Sequence, residues 1–190
     1  KTAIINSWWD FGHHFKYIAD RRVTFDGASQ NSPMAHWIGK VLLTNDEELA
    51  VGILRKLDCG SYLGFTELNK EINNTVKSIR ILNDIFKMNR EEAEEYLYGK
   101  IKNVDGILDL THCNPPENFL IVSDDMIGKS GVWGHFGSWS FERTETWLRL
   151  KNLPEADAVK YMQQVYNYSK EESTKLYNEA NGLANENDAN

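Results

Sequence analysis

The sequence predicts an α+β domain that is mainly α-helical, with a small central sheet. Apolar residues recur at helical spacing through most of the chain, as in Leu49, Ile53, Leu54 and Leu57. Several of these stretches open on Thr, Asn or Ser with a Glu three positions later, the signature of a capped helix start. Strand-like stretches are few: the weakly alternating 2–7, a strand from Val23 leading into a turn, and the apolar runs 106–111 and 118–123. A chain of 190 residues can bury one substantial core. The reading is a single globular domain over 1–180, followed by an Asn/Ala/Glu-rich tail at 181–190 that frays.

Taken in order, Thr2 to Ser7 alternates weakly and reads as a strand delivering Trp8 and Trp9 at its carboxyl end, where α/β folds gather their ligands. Gly12 turns the chain. His13 and His14 are adjacent, so their side chains diverge, and no acidic or Cys partner is spaced to complete a metal site. Val23 to Gln30 reads as a strand entering a turn at Gly27. Ser32 as N-cap and Pro33 at the first helical position start a helix through Ile38, Val41 and Leu42. Thr44-Asn45-Asp46-Glu47 reads as a capping box with Thr44 at the N-cap, and Asp58-Cys59-Gly60 ends that helix.

One long amphipathic pattern runs from Phe65 to Met88 through Ile72, Val76, Ile79, Leu82 and Phe86. Asn89 caps the next helix, and its pattern returns at Ser169-Lys170-Glu171-Glu172-Ser173. The runs 106–111 and 118–123, separated by Asn114-Pro115-Pro116, are the candidate strands of the sheet. After Ser123-Asp124-Asp125, helical spacing resumes through Trp133, Phe136 and Trp139. Gly128, Gly131, Gly134 and Gly137 recur every third residue, each costing about 1 kcal/mol of helix propensity. Such a helix is irregular, or closely packed on one side. Phe141–Leu150 and a helix after Leu153-Pro154, through Val159, Met162, Val165 and Tyr166, complete the chain.

Bulk properties exclude several classes. A net charge of −7 without a basic stripe argues against a nucleic-acid partner. No window of about 18 apolar residues spans a bilayer, and the opening Lys1 to Ile5 is too short for a signal peptide. A start without Met, directly in a strand, reads as a fragment of a longer protein. Cys59 and Cys113 lack metal spacing and either pair or remain thiols. Gly128-Lys129-Ser130 imitates a phosphate loop, but Ser123 stands where that loop needs its first Gly. Asp124 and Asp125 suit a cation or acid–base pair, or an N-cap with its flank. Asn73-Asn74-Thr75 and Asn167-Tyr168-Ser169 are glycosylation sequons.

Trp8-Trp9-Asp10-Phe11-Gly12 is the chemically distinctive stretch. Two indoles offer N–H donors on a rigid apolar surface, Asp10 offers an acceptor, and together they suit a ligand with a hydroxyl and a methyl, as a Thr side chain has. The same tryptophan pair also fits a core. The pentapeptide resembles the WWDYG signature of the oligosaccharyltransferase catalytic subunit, the AglB/PglB family, with Phe11 in place of Tyr. The likeness to archaeal members extends through about the first sixty residues.

A looser likeness to the family's second element falls on Asp125, Met126 and Lys129, with Met126 at the position of its Asp and Lys129 retained. Met126 would then pack near a Thr methyl and Lys129 would balance Asp10. The resemblance implies the C-terminal, extracytoplasmic domain of a cell-membrane glycosyltransferase whose transmembrane region is absent from this chain. Trp8, Trp9 and Asp10 would recognise the Ser/Thr of an Asn-x-Ser/Thr acceptor polypeptide, supported by Phe11 and Gly12. The lipid-linked oligosaccharide donor, on dolichol, would bind the membrane part, which would also hold the Mn²⁺ or Mg²⁺, with no metal in this fragment. The alternative is a non-catalytic peptide- or carbohydrate-binding module, and a small hydrolase built on Asp124 and Asp125 ranks third.

Overall fold

The protein is described by a computed structural model covering residues 2–29, 33–185 and 188. It is a mainly helical α+β fold with a three-stranded parallel sheet. The chain divides into two compact units, Lys1–Asn73 with Ser78–Ser138, and Asn74–Lys77 with Trp139–Asn190. The sequence reading takes 1–180 as one domain. No helix among the described residues is long and apolar enough to cross a membrane.

The first unit begins with β1 (Ile4–Asn6), a 3-10 turn (Trp9–Phe11) and α1 (Gly12–Tyr17). β2 (Arg22–Val23), a second 3-10 turn (Gly27–Ser29) and α2 (Met34–Leu43) follow. The helices α3 (Glu47–Gly60), α4 (Leu63–Ile72), α5 (Thr75–Phe86), α6 (Arg90–Leu97) and α7 (Val104–Thr111) lead to β3 (Asn118–Leu120). α8 (Asp124–Gly128) and α9 (Ser130–Gly137) close the unit. The sheet order is β2-β1-β3, with Ile5 opposite Val23 on one side and Phe119 on the other. Parallel neighbours need crossover connections, and here helices supply both.

Most starts and stops follow local chemistry. Asn89 and Ser169 each form a full capping box, with Glu92 and Glu172 as reciprocal partners. The cap of α3 differs from the expected Thr44. Asp46 accepts from the Leu49 N–H at 3.0 Å, and the Thr44 hydroxyl instead accepts from the Asp46 N–H. The pattern from Phe65 to Met88 is broken into α4 and α5 because Asn73 takes a left-handed conformation, φ 52°, that asparagine tolerates well. Pro33 immediately precedes α2, and the expected Ser32 cap lies outside the described residues. The tail expected over 181–190 includes four residues outside them, and α12 (Lys170–Asn181) ends where that tail begins.

The run 106–111 corrects a strand expectation: it is helical. Asn103 accepts from the Gly106 N–H, and Ile107, Leu108 and Thr111 are buried on one helical face. A short apolar run carries too few residues for period 2 and period 3.6 to separate. The run at 118–123 does contribute β3.

The core of this unit joins Ile53 and Leu57 of α3, Leu82, Ile85 and Phe86 of α5, Leu97 of α6 and Leu108 of α7. Arg55 stitches helix ends together, donating to the carbonyls of Phe86, Met88 and Thr111. The Phe86 and Thr111 carbonyls end their helices without partners there, Met88 lies just past α5, and a guanidinium fork satisfies all three at once. Cys59 and Cys113 form a disulfide that closes a 54-residue separation between α3 and the segment after α7. The second unit packs α10 (Phe141–Arg149) and α11 (Glu155–Tyr166) against α12, around Leu150, Ala158, Met162 and Tyr166.

The glycine series resolves into two kinds. A Cβ on Gly39 of α2 would lie 2.5 Å from the Trp133 carbonyl and 2.7 Å from the Gly137 nitrogen, so α2 and α9 touch through backbone. A Cβ on Gly131 or Gly134 would meet nothing within 4 Å. Gly39→Ala is therefore expected to destabilise by about 1–3 kcal/mol, whereas Gly134→Ala should be neutral or stabilising by up to about 1 kcal/mol. Urea unfolding of the two variants checks the contrast. Replacing both cysteines with Ser should cost about 2–4 kcal/mol by the same measurement.

Buried histidines add an acid-sensitive element. His36 Nδ1 bonds the Phe136 carbonyl at 3.0 Å, and His112 Nε2 bonds the Ile85 carbonyl at 3.0 Å. Burial, the largest influence on each, pushes both pKa values down from 6.5 to about 4. The unfolded chain thus binds these protons first, so their contribution is intact above pH 6.5 and is lost as pH falls toward 4. Asp58, pushed up by burial to about 6, opposes the loss, because the folded state takes its proton first. Asp58→Asn should therefore steepen the decline in urea midpoint between pH 6.5 and 4.

Candidate functional site

The site is built where β1 ends. β1 lies between two strands, so the chain leaving it emerges at the carboxyl edge of the sheet. Ser7 fastens that exit, its hydroxyl donating to the Ile121 carbonyl at 2.8 Å, while the Ile121 N–H bonds the Asn6 carbonyl at 2.9 Å. Beneath it Asn6 is fully buried. It donates to Asp58 Oδ1 at 3.0 Å and accepts from Thr24 at 2.6 Å.

The two tryptophans separate in role. Trp8 is 1 % exposed, edge-on to Phe25 at 5.3 Å and tilted against Phe136 at 6.4 Å. Trp9, Asp10 and Phe11 form the half-buried 3-10 turn. Phe11 faces His14 and Phe15, at 6.1 and 6.5 Å, and nothing in the structure explains Phe over Tyr there. Gly12 is buried, and a Cβ on it would lie 2.5 Å from the Phe25 carbonyl.

Asp10 is joined to the second sequence element. Lys129 Nζ donates to Asp10 Oδ1 at 2.8 Å and to Asp125 Oδ2 at 2.5 Å, bringing together three residues singled out in the sequence. Hydrogen bonds to Asp10, then to Asp125, raise the Lys129 pKa, so it stays an ammonium at neutral pH. Asp10 Oδ2 is buried and has no hydrogen-bond partner among the described residues. The arrangement is a carboxylate with one oxygen neutralised and the other left as a bare acceptor.

Met126 is 5 % exposed, and its carbonyl accepts from Trp133 Nε1 at 2.7 Å. With Leu42, Val122, Ser123, Asp124, Ile127 and Trp133 it lines a mainly apolar cavity of about 240 Å³. Asp124 and Asp125 open α8, and Asp125 spends its charge on Lys129. Among the described residues no three His, Cys, Asp or Glu side chains are grouped to hold a metal ion. Asp10 and Asp125 already share an ammonium, so these carboxylates do not fit a divalent cation.

Sequence reasoning missed the support of the turn: Phe25 and Phe136 around Trp8, and Asp26 beside Gly12. The one local signal was the Asp26-Gly27 turn, read there only as the end of a strand.

A family model described as the STT3/PglB/AglB core domain matches residues 1–142. The chain is 38% identical over 149 residues to the dolichyl-phosphooligosaccharide-protein glycotransferase of Methanocaldococcus jannaschii, and 35% identical over 151 residues to that of Methanococcus voltae. Each alignment covers 74% of this chain and 16% of the relative, so the chain matches about a sixth of their length. No solved structure matches. On this match the chain belongs to the STT3/PglB/AglB family of oligosaccharyltransferases.

Proposed function

We propose that this chain is the acceptor-recognition part of an oligosaccharyltransferase, binding the Ser or Thr hydroxyl of an Asn-x-Ser/Thr sequon. The observation that carries this reading is Asp10: Oδ1 is fixed by Lys129, and buried Oδ2 has no partner among the described residues. A hydroxyl donor arriving there makes a bond to a charged group, worth about 1.5–3 kcal/mol, and an acceptor lacking it leaves a buried oxygen unpaired. That asymmetry gives discrimination as well as affinity. Trp9 borders the same half-buried turn, and buried Trp8 supports it from the core.

In the whole enzyme the acceptor Asn nitrogen attacks the anomeric carbon of a dolichol-linked oligosaccharide. The C–N glycosidic bond forms, the bond from the anomeric carbon to the lipid-linked phosphate breaks and releases that phosphate with the bonding pair, and the proton lost by the amide nitrogen passes to the released phosphate or to solvent. This chain holds the sequon for that step. The donor and the Mn²⁺ or Mg²⁺ belong, in this reading, to the membrane-spanning part. The names of both relatives support a dolichyl-linked donor and a protein acceptor, and the Cys59–Cys113 disulfide supports an extracytoplasmic position.

The test is glycan transfer by the full-length protein to an Asn-x-Thr peptide. Asp10→Ala should lower kcat/KM by about tenfold to 100-fold with the protein still folded, as thermal unfolding checks. Transfer retained within a few-fold by a folded Asp10→Ala protein overturns the reading.

A further inference from the structure

Lys129 secures Asp10 from one side, and a second set of contacts secures the backbone that carries it. Thr24, Phe25 and Asp26 engage the exit of β1 in succession. Thr24 Oγ1 donates to Asn6 Oδ1, the Phe25 ring meets Trp8, and Asp26 abuts Gly12 so closely that a Cβ there would lie 2.5 Å from its own Cβ.

Asp26 is 2 % exposed, and both its carboxylate oxygens are used. Oδ1 accepts from the N–H groups of Ala28 and Ser29, at 3.0 and 3.2 Å, and from the Ser29 hydroxyl at 3.1 Å. Oδ2 takes the Lys16 ammonium, with His13 Nδ1 4.0 Å away. Burial alone would raise its pKa, but the Lys16 and Ser29 bonds outweigh burial and hold it low. Lys16 and His13 lie on α1, the helix that continues directly from the Trp9–Phe11 turn. One buried charge therefore ties α1 to the Gly27–Ser29 loop, while the Cα and Cβ of Asp26 pack directly on Gly12, the first residue of that helix. None of these bonds involves Asp10.

We infer that Asp26 is a positioning residue of the acceptor site: by clamping α1, which begins at Gly12, to the Gly27–Ser29 loop it fixes the turn that aims Asp10. The inference rests on the acceptor reading above. Without the clamp the turn keeps its sequence and its Lys129 bond but loses its fixed direction, and sites of this kind depend on geometry held to a fraction of an ångström. The effect falls on acceptor binding, because Asp10 meets the acceptor and not the donor.

The experiment compares Asp26→Asn, Asp26→Ala and Asp10→Ala in the full-length protein, with KM for an Asn-x-Thr peptide and for the lipid-linked donor, kcat, and thermal unfolding. Asp26→Asn keeps the volume and the Oδ1 acceptor while losing the charge that holds Lys16. It should raise the acceptor KM about threefold to tenfold, with kcat and donor KM within about twofold. Asp26→Ala should raise it further, and if that variant does not fold, Asp26→Asn decides. An unchanged acceptor KM, or an equal loss in kcat and both KM values, overturns the positioning role. Should Asp10→Ala retain transfer, the acceptor reading itself falls, whereas loss in Asp10→Ala with an unmoved acceptor KM in Asp26→Asn removes only this inference.

Discussion

The site depends on a three-residue strand that is paired on both sides. Ile4–Asn6 lies between β2 and β3, all parallel, so each neighbour is reached by a helical crossover. The chain leaving β1 must come out at the carboxyl edge, where the sheet itself supplies no further pairing. Everything distinctive then follows within six residues: the Ser7 fastening, the buried Trp8, the Asp10 turn and the Gly12 contact. The surrounding helices pack onto this short edge. The α2–α9 backbone contact brings Phe136 near Trp8, and α3 presents Asp58 to Asn6.

Charge is placed sparingly in this region, and each instance has a physical consequence. Asp26 is deep but fully bonded, so it acts as structure. Asp10 is shallower and half-satisfied: one oxygen bonds Lys129 and the other has no partner among the described residues. Lys56 is the extreme case. It is fully buried, its Nζ sits 4.7 Å from the Trp37 ring centroid without a hydrogen-bond partner among the described residues, and burial pushes its pKa to about 7. A face-on indole offsets part of the desolvation of an ammonium, which a saturated side chain cannot do.

The second sequon, Asn167-Tyr168-Ser169, has a structural origin, and the first shares its asparagine conformation. Asn73 and Asn167 both take left-handed conformations at helix C-termini, φ 52° and 58°, and Ser169 is the N-cap of the next helix. Asparagine at the end of one helix and a hydroxyl at the start of the next give Asn-x-Ser through capping alone. The same local logic made Asn89 and Ser169 readable as helix starts, because a cap is decided within four residues of chain. It misplaced the α3 cap by two residues, since Thr44 and Asp46 are both competent and Asp46 is the one whose carboxylate reaches Leu49.

By itself the sequence determined the helical character, the capped starts, the strand before the tryptophans and the family motif, because each is written in contiguous residues. Through the family resemblance it also marked Asp10 and Lys129 as residues that would balance each other. Tertiary structure alone decided that 106–111 is a helix, that Cys59 meets Cys113, that Trp8 is core while Asp10 keeps a bare oxygen, and that Asp26 packs on Gly12. Those outcomes turn on groups that approach only after the chain has folded back on itself. Lys129 lies 119 residues from Asp10, and no local pattern encodes a distance of 2.8 Å.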